Sequence, residues 1–355
     1  MRIILAGGGT GGHLFPGLAL AREIQTQCPA ARVSFIGTAS GLDLTLVPRA
    51  GYAVDVIAAG RGSPLNWRHP SYLPRFLTAI YQCRRLFGRE RPDAVVALGG
   101  FAAAAPGIAA RWRKIPLFIL EQNVVPGRVN CLLARFAKQI FLQFAEAQNY
   151  FPPTAAEFVP VGSPLRAEIA ALSASVRAAL LIVGGSQGAA ALNELVAGAM
   201  RSFIAAVGEV PIIHLTGAAE AAKWRDFYAA QKLPVAALGF SDRMADLYRR
   251  AKLVVSRSGA GAIAEMTALG LPAVLIPLPT AARNHQWHNA KWLADRGGAV
   301  LWEQPSLTAA GLAENLAALW RDDAALTSMA AAARQAARPS AGRDIAARIL
   351  GTINN

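Results

Sequence analysis

Residues Arg2-Ile3-Ile4-Leu5-Ala6-Gly7-Gly8-Gly9-Thr10-Gly11-Gly12-His13 decide the reading of the fold. A short apolar β run passes straight into a glycine-rich turn, and a helical pattern follows it. Backbone amides in such a turn, together with the N-terminus of the next helix, are suited to holding a phosphate. The same residues satisfy the dinucleotide fingerprint G-x-G-x-x-G, so a NAD-dependent enzyme is the rival reading. The second β run ends Phe35-Ile36-Gly37-Thr38 without the Asp or Glu that would grip a ribose diol. The nearest acid, Asp43, is expected in the following loop.

Outward from that turn, β runs alternate with helical patterns, the signature of parallel sheets covered on both faces. The first half suggests strands near 2–6, 32–36, 53–57, 94–98, 115–120 and 139–142. A Pro-rich passage from Phe151 to Pro164 interrupts the alternation and is the expected inter-domain connection. The pattern restarts with strands near 179–183, 211–215, 234–238, 252–255, 272–276 and 298–301. An Ala-rich tail follows from Leu307, broken at Pro339. We therefore expect α/β domains of 1–160 and 161–338, with a last helix in 339–355 that packs back on the first domain. The length of 355 residues supports two domains with a cleft as the default active site.

Composition narrows the partners without choosing among them. The chain is 54% hydrophobic and 16% charged, too apolar for a disordered segment. A formal charge of +14 favours a phosphate-rich ligand, an anionic membrane or nucleic acid. Cys28, Cys83 and Cys131 lack metal-ligand spacing and read as inert thiols in a reducing compartment. The start lacks signal-peptide features and points to the cytoplasm, and no stretch reads convincingly as a membrane span. Nucleic acid is disfavoured because no recognition module is visible and the glycine turns would go unexplained.

Further turns follow other expected strands. Gly99-Gly100-Phe101 lets a backbone approach a ligand closely. Gly184-Gly185-Ser186-Gln187-Gly188-Ala189 suits a diphosphate, because Ser186 adds a hydroxyl to the amides that open the next helix. Arg257-Ser258-Gly259-Ala260 is followed by Glu265, a carboxylate that can accept ribose hydroxyls, and Asn284-His285-Gln286 occupies a strand-end loop.

These segments, with Phe15-Pro16-Gly17 and Glu121-Gln122-Asn123, resemble the MurG family over nearly the whole chain. The resemblance implies the GT-B architecture, with two Rossmann-like domains facing a cleft. It also implies an inverting transfer of N-acetylglucosamine from UDP-N-acetylglucosamine to the C4 hydroxyl of lipid I, an undecaprenyl-diphosphate-linked N-acetylmuramyl acceptor, giving lipid II. By that resemblance Thr10, Gly11, Gly12, His13, Asn123, Arg166, Ser186, Gln187, Asn193, Ser241, Ala260, Glu265, His285 and Gln286 would line the UDP-sugar site. Gly9, Thr10, Gly11, Gly99, Gly100 and Phe101 would receive the acceptor diphosphate. Leu120, Phe101 and Arg283 depart from the commoner family residues at their positions. Another GT-B transferase or a UDP-sugar 2-epimerase is the alternative within this architecture.

Such a transfer needs a base for the acceptor hydroxyl and a stabilised leaving UDP. His13 is the first candidate base because an imidazole accepts a proton at neutral pH. Glu121 is the second, and a carboxylate there is equally suited to organising its own loop. No metal or cofactor is expected, since no Asp-x-Asp or His/Cys cluster occurs and amides with a helix dipole can meet the diphosphate charge. Between Arg61 and Arg91, Trp67, Tyr72, Phe76 and Ile80 are interleaved with arginines, and Trp112 lies in a second basic cluster. That composition suits peripheral contact with an anionic bilayer at the cytoplasmic face, although near-helical spacing also suits a core face.

Overall fold

The computed structural model describes residues 1–39, 41–58, 72–170, 172, 177–185, 188–241 and 243–354. The described chain divides into two compact units, Met1–Arg166 with Arg338–Asn355, and Ala167–Ala337. Residues 161–166, expected with the second domain, therefore belong to the first, and the return to the first begins at Arg338.

The first unit contains β1 (Arg2–Gly7), β2 (Arg32–Gly37), β3 (Ala53–Val56), β4 (Ala94–Gly99), β5 (Leu117–Glu121), β6 (Gln139–Leu142) and β7 (Glu157–Pro160). They form one parallel sheet in the order β3-β2-β1-β4-β5-β6-β7. Its helices are α1 (Gly11–Gln27), α2 (Gly41–Arg49), α3 (Tyr72–Glu90), α4 (Ala104–Trp112) and α5 (Arg128–Ala134). The central strands are buried along both faces, as expected where helices cover a parallel sheet. The passage expected as a connection contains β7, which pairs with β6 through Ile140 and Phe158. Its prolines are tolerated because β7 is an edge strand and Pro160 ends it.

The second unit opens with α6 (Ala167–Ala170) and repeats the plan with β8 (Ala179–Val183), β9 (Ile212–Leu215), β10 (Val235–Leu238), β11 (Ala251–Ser256), β12 (Ala273–Leu275) and β13 (Ala299–Leu301). The order is β10-β9-β8-β11-β12-β13, again parallel. Its remaining helices are α7 (Ala190–Val207), α8 (Ala221–Ala230), α9 (Met244–Arg250), α10 (Ala260–Leu269), α11 (His285–Ala294), α12 (Ala309–Arg321) and α13 (Asp323–Ala336). Helix α7 has the length and apolarity of a membrane span, yet its Leu192, Val196, Met200 and Phe203 are buried in the core of this unit.

The last helix, α14 (Ala341–Asn354), packs on α1 and contributes Ile345, Ala346 and Ile349 to the core that holds Ile3, Leu5, Leu14 and Leu20. A Cβ at Gly342 would lie 3.0 Å from Glu23 Cγ, so glycine permits the close approach of the two helices. Replacing Ile345, which is fully buried, by Ala is expected to cost about 2–5 kcal/mol. Urea unfolding would check this, and fluorescence from tryptophans of the second unit should retain its midpoint if the two units unfold independently.

Candidate active site

In each sheet the chain reverses its direction of progress once, between β1 and β4 and between β8 and β11. Loops beyond the carboxyl ends of strands diverge at such a switch point and leave a crevice for a ligand. All four of these strands end in the turns singled out from the sequence.

In the first unit, Gly7 and Gly9 have φ of +142° and +81°, and a Cβ on Gly7 would stand 2.7 Å from Gly99 O. Thr10 caps α1 without donating or accepting a side-chain cap bond; its hydroxyl instead lies 3.1 Å from His13 Nδ1. A Cβ on Gly99 would be 2.9 Å from the His13 ring, and one on Gly100 3.4 Å from Nδ1. The two glycine turns thus form the slot that receives the imidazole, bringing Thr10, Gly11, Gly12, His13, Gly99 and Gly100 together.

Gly9 differs from the expectation. Its amide donates to Asp43 Oδ1 at 2.8 Å and so turns into the protein rather than towards a diphosphate. Asp43 is not in a loop but in the first turn of α2, and its Oδ2 accepts from Thr38 N at 3.0 Å and Thr38 Oγ1 at 3.3 Å. A Cβ at Gly37 would be 2.8 Å from Oδ2, so glycine leaves the space the carboxylate occupies. The acid that a dinucleotide enzyme would offer to ribose here staples two loops. Asp43→Ala strands these donors, so a loss of about 1–3 kcal/mol in unfolding free energy is expected by denaturant titration.

Glu121 ends β5 with 1% exposure. Oε1 accepts from Asn123 N at 2.9 Å and Asn123 Nδ2 at 3.3 Å, while Oε2 accepts from Gly127 N at 3.0 Å and Asn130 Nδ2 at 2.8 Å. Burial pushes its carboxyl above the ordinary range, against the downward pull of those four donors. A carboxylate engaged this way organises the loop that carries Asn123, which is the second of the two roles open to it from sequence. Phe101 also turns inward: its ring centre lies 5.9 Å from that of Phe76 and packs on the core. Arg166, the last residue of this unit's first segment, lies 5.0 Å over the Phe15 ring.

The expected membrane segment divides by helical face. Trp67 and the Tyr72 side chain lie outside the described residues. Ile80 is buried and Phe76 packs on the core with Cys83 and Phe87, so these two do not face a bilayer. The outward stripe is Leu73, Leu77 and Tyr81, at 60%, 54% and 66% exposure, and Trp112 at 56% stacks under Arg84. Cys83 has its thiol pushed up to about 12 by burial.

In the second unit, Ser186 and Gln187 lie outside the described residues. On either side of them Gly185 and Gly188 have φ of +97° and +78°. No side chain caps α7, whose N-terminus follows. Asn193 is fully buried and faces inward, donating to Thr216 O and Glu220, so its side chain is not presented to a ligand as expected. Beyond β11, Gly259 precedes α10, which starts at Ala260 and carries the partly buried Glu265. Arg257 turns inward, with Nη1 donating to Ile276 O and Pro277 O and Nη2 to Gln304 Oε1 at 2.6 Å. Burial pulls its guanidinium down to about 10. Ser258 Oγ donates to Gln286 O at 2.7 Å, and Gln286 Oε1 accepts from Leu278 N at 3.0 Å. These bonds join α11 to the β11 turn, bringing Ala260, Gln286 and Ser258 to one place. His285 Nδ1 lies 2.8 Å from Ala282 O, and Ser241 Oγ accepts from Arg243 N at 3.1 Å in the loop after the edge strand β10.

Motif reading passed over Asn130, His214 and Tyr228, and it named Asp43 and Arg257 without their anchoring roles. Of these only His214 carries a local signal, as a polar side chain inside the apolar run Ile212-Ile213-His214-Leu215. Among the described residues no group of three or more His, Cys, Asp and Glu side chains is placed to hold a metal ion.

Two doubly wound parallel-sheet units, each with glycine turns at its switch point, define the GT-B class of nucleotide-sugar enzymes. The glycosyltransferase family 28 N-terminal domain matches residues 3–142, and the family 28 C-terminal domain matches 179–345. A Geobacter sulfurreducens protein named UDP-N-acetylglucosamine–N-acetylmuramyl-(pentapeptide) pyrophosphoryl-undecaprenol N-acetylglucosamine transferase is 37% identical, over 97% of each chain. A Symbiobacterium thermophilum protein of the same name is 37% identical over 99% of this chain and 96% of its own. The crystal structure of Acinetobacter baumannii MurG superposes with a TM-score of 0.77 at 33% identity, covering 99% of both chains. A Listeria monocytogenes UDP-N-acetylglucosamine 2-epimerase homologue shares the fold, with a TM-score of 0.74 at 13% identity over 99% of this chain and 96% of its own. The chain belongs to the MurG family, within glycosyltransferase family 28.

Proposed function

We propose that this protein is the inverting N-acetylglucosaminyltransferase that converts lipid I into lipid II with UDP-N-acetylglucosamine as donor. The observation that carries the reading is end-to-end likeness to enzymes named for this transfer, in a chain whose two switch points keep glycine turns beside uncapped helix N-termini.

In this reading the second unit takes the donor. The amides around Gly184–Gly188 and the N-terminus of α7 meet the diphosphate, Glu265 the ribose, the backbone near Ser241 the uracil, and Gln286 and His285 the sugar. The first unit takes the acceptor, with Thr10, Gly11, Gly99 and Gly100 at its diphosphate and Asn123 at a sugar hydroxyl. The acceptor's C4 oxygen forms a bond to the anomeric carbon as the bond from that carbon to the phosphate oxygen breaks. UDP leaves with the electron pair, and one displacement turns the α-linked donor into a β-linked product. His13 takes the hydroxyl proton. For Nε2 to accept it, Nδ1 must carry the ring hydrogen and donate to Thr10 Oγ1, a geometry consistent with the 3.1 Å separation.

UDP release from UDP-N-acetylglucosamine should depend on a lipid I analogue, and the product should gain one N-acetylhexosamine in mass. His13→Ala should lower kcat roughly 10²-fold or more with UDP affinity retained. UDP bound tightly with no transfer to that acceptor would sink the reading, while donor consumption without acceptor would point to epimerase chemistry.

The stripe of Leu73, Leu77 and Tyr81, with Trp112 and the arginines around it, supports peripheral docking on an anionic leaflet at the cytoplasmic face. Replacing those four with Ser should reduce sedimentation with anionic vesicles while sparing turnover of a water-soluble acceptor analogue. Loss of turnover on both acceptors would assign the stripe to folding instead.

A further inference from the structure

The second unit contains a closed polar chain that the reaction described above does not use. Tyr228 Oη lies 2.9 Å from His214 Nδ1, and His214 Nε2 lies 3.1 Å from Asn193 Oδ1. Asn193 Nδ2 lies 2.8 Å from Thr216 O and 2.6 Å from Glu220 Oε2. Trp224 Nε1 also donates to Glu220 Oε2, at 3.4 Å.

The direction of every bond follows from the end where the acceptors are unambiguous. A backbone carbonyl and a carboxylate can only accept, so the Asn193 amide nitrogen faces them and its oxygen faces His214. Nε2 of His214 must then carry the hydrogen, which leaves Nδ1 to accept from the Tyr228 hydroxyl. That assignment holds for the neutral imidazole, which burial favours by lowering its pKa to about 4. His214 and Asn193 have no exposed surface, and Tyr228 has 1%.

What the chain holds in place is more specific than the core. Asn193 sits in the first turn of α7, which begins two residues after Gly188. Thr216 O, its acceptor, belongs to the neighbouring β9 loop, and a Cβ on Gly188 would stand 3.1 Å from that oxygen. Gly184 N donates at 3.3 Å to the O atom of Leu215, the last residue of β9. One amide side chain thus ties the helix N-terminus to the wall against which the glycine turn rests.

We infer that Asn193 and His214, backed by Tyr228, are positioning residues for the donor diphosphate: they set the distance between the α7 amides and the Gly184–Gly188 turn without touching the nucleotide. This rests on the reading of that turn as the UDP site. Phosphate held by amides is sensitive to displacement, because each amide must keep its distance and angle to the oxygen. Loss of this tie should weaken the donor in ground and transition states alike, raising its KM while sparing kcat.

The experiment measures UDP binding by calorimetry and steady-state kinetics for the wild type, His214→Phe, His214→Gln, Asn193→Ala and Tyr228→Phe, alongside melting temperatures. His214→Phe and Asn193→Ala should raise the UDP Kd and the KM for UDP-N-acetylglucosamine about tenfold, the value of one good hydrogen bond, with kcat and acceptor KM unchanged. His214→Gln, which restores an N–H towards Asn193, should recover part of that loss. If His214→Phe does not fold, Tyr228→Phe carries the test with a smaller increase in the same two constants. Variants that melt earlier yet bind UDP as the wild type does would overturn the inference and leave the chain a stabilising element only. A wild type that does not bind UDP would overturn the donor-site reading and this inference with it, whereas UDP binding without lipid transfer would overturn only the reaction.

Discussion

The close approach of backbone to backbone at the strand ends is the constraint on which the rest of this protein depends. In a parallel sheet the loops leave from one edge, and where the winding reverses they part and expose main-chain amides. At the first reversal the approach is so tight that a Cβ on Gly7 would meet Gly99 O at 2.7 Å. Any side chain there would separate β1 from β4 and close the slot in which His13 sits. Glycine is required by that contact as well as by the positive φ at Gly7 and Gly99.

Several loops at the strand ends are held by a buried polar anchor. Asp43 binds the Gly9 amide, Glu121 collects four donors from the Asn123 loop, Asn193 joins α7 to the β9 loop, and Arg257 gathers the carbonyls that end β12. Each group is nearly devoid of solvent exposure, so each would be costly if unpaired. Their common logic is that a buried charged or amide side chain, rooted in or directly after a regular element, fixes an irregular one. The residues that stand at the ligand crevice and those that hold them are therefore different sets, and the second set determines how precisely the first can act.

The strands were readable because the chemistry that forms them is local. Continuous apolar runs such as Ala94–Leu98 and Ala179–Val183 are what a doubly covered parallel strand demands, and a glycine turn directly after such a run marks a strand end. The edge strand β7 was hidden because its prolines imitate a linker, and only pairing with β6 shows that an edge tolerates them. Helix α3 had to be divided between core and surface by rotation about its axis: Phe76 and Ile80 lie on one side, Leu73, Leu77 and Tyr81 on the other.

By itself the sequence determined the two doubly wound halves, the glycine turns at their strand ends, and the family whose ordered motifs the chain carries. All of these depend on neighbours within a few residues. Tertiary structure alone decided that Gly9 serves Asp43, that Glu121 clamps a loop, and that Phe101 and Asn193 turn inward. The Glu121 clamp closes on donors within nine residues, whereas the other outcomes join residues distant in the chain. A carboxylate or amide has the same local signature whether it faces a ligand or a buried backbone donor, and only the packing that removes water from one side distinguishes them.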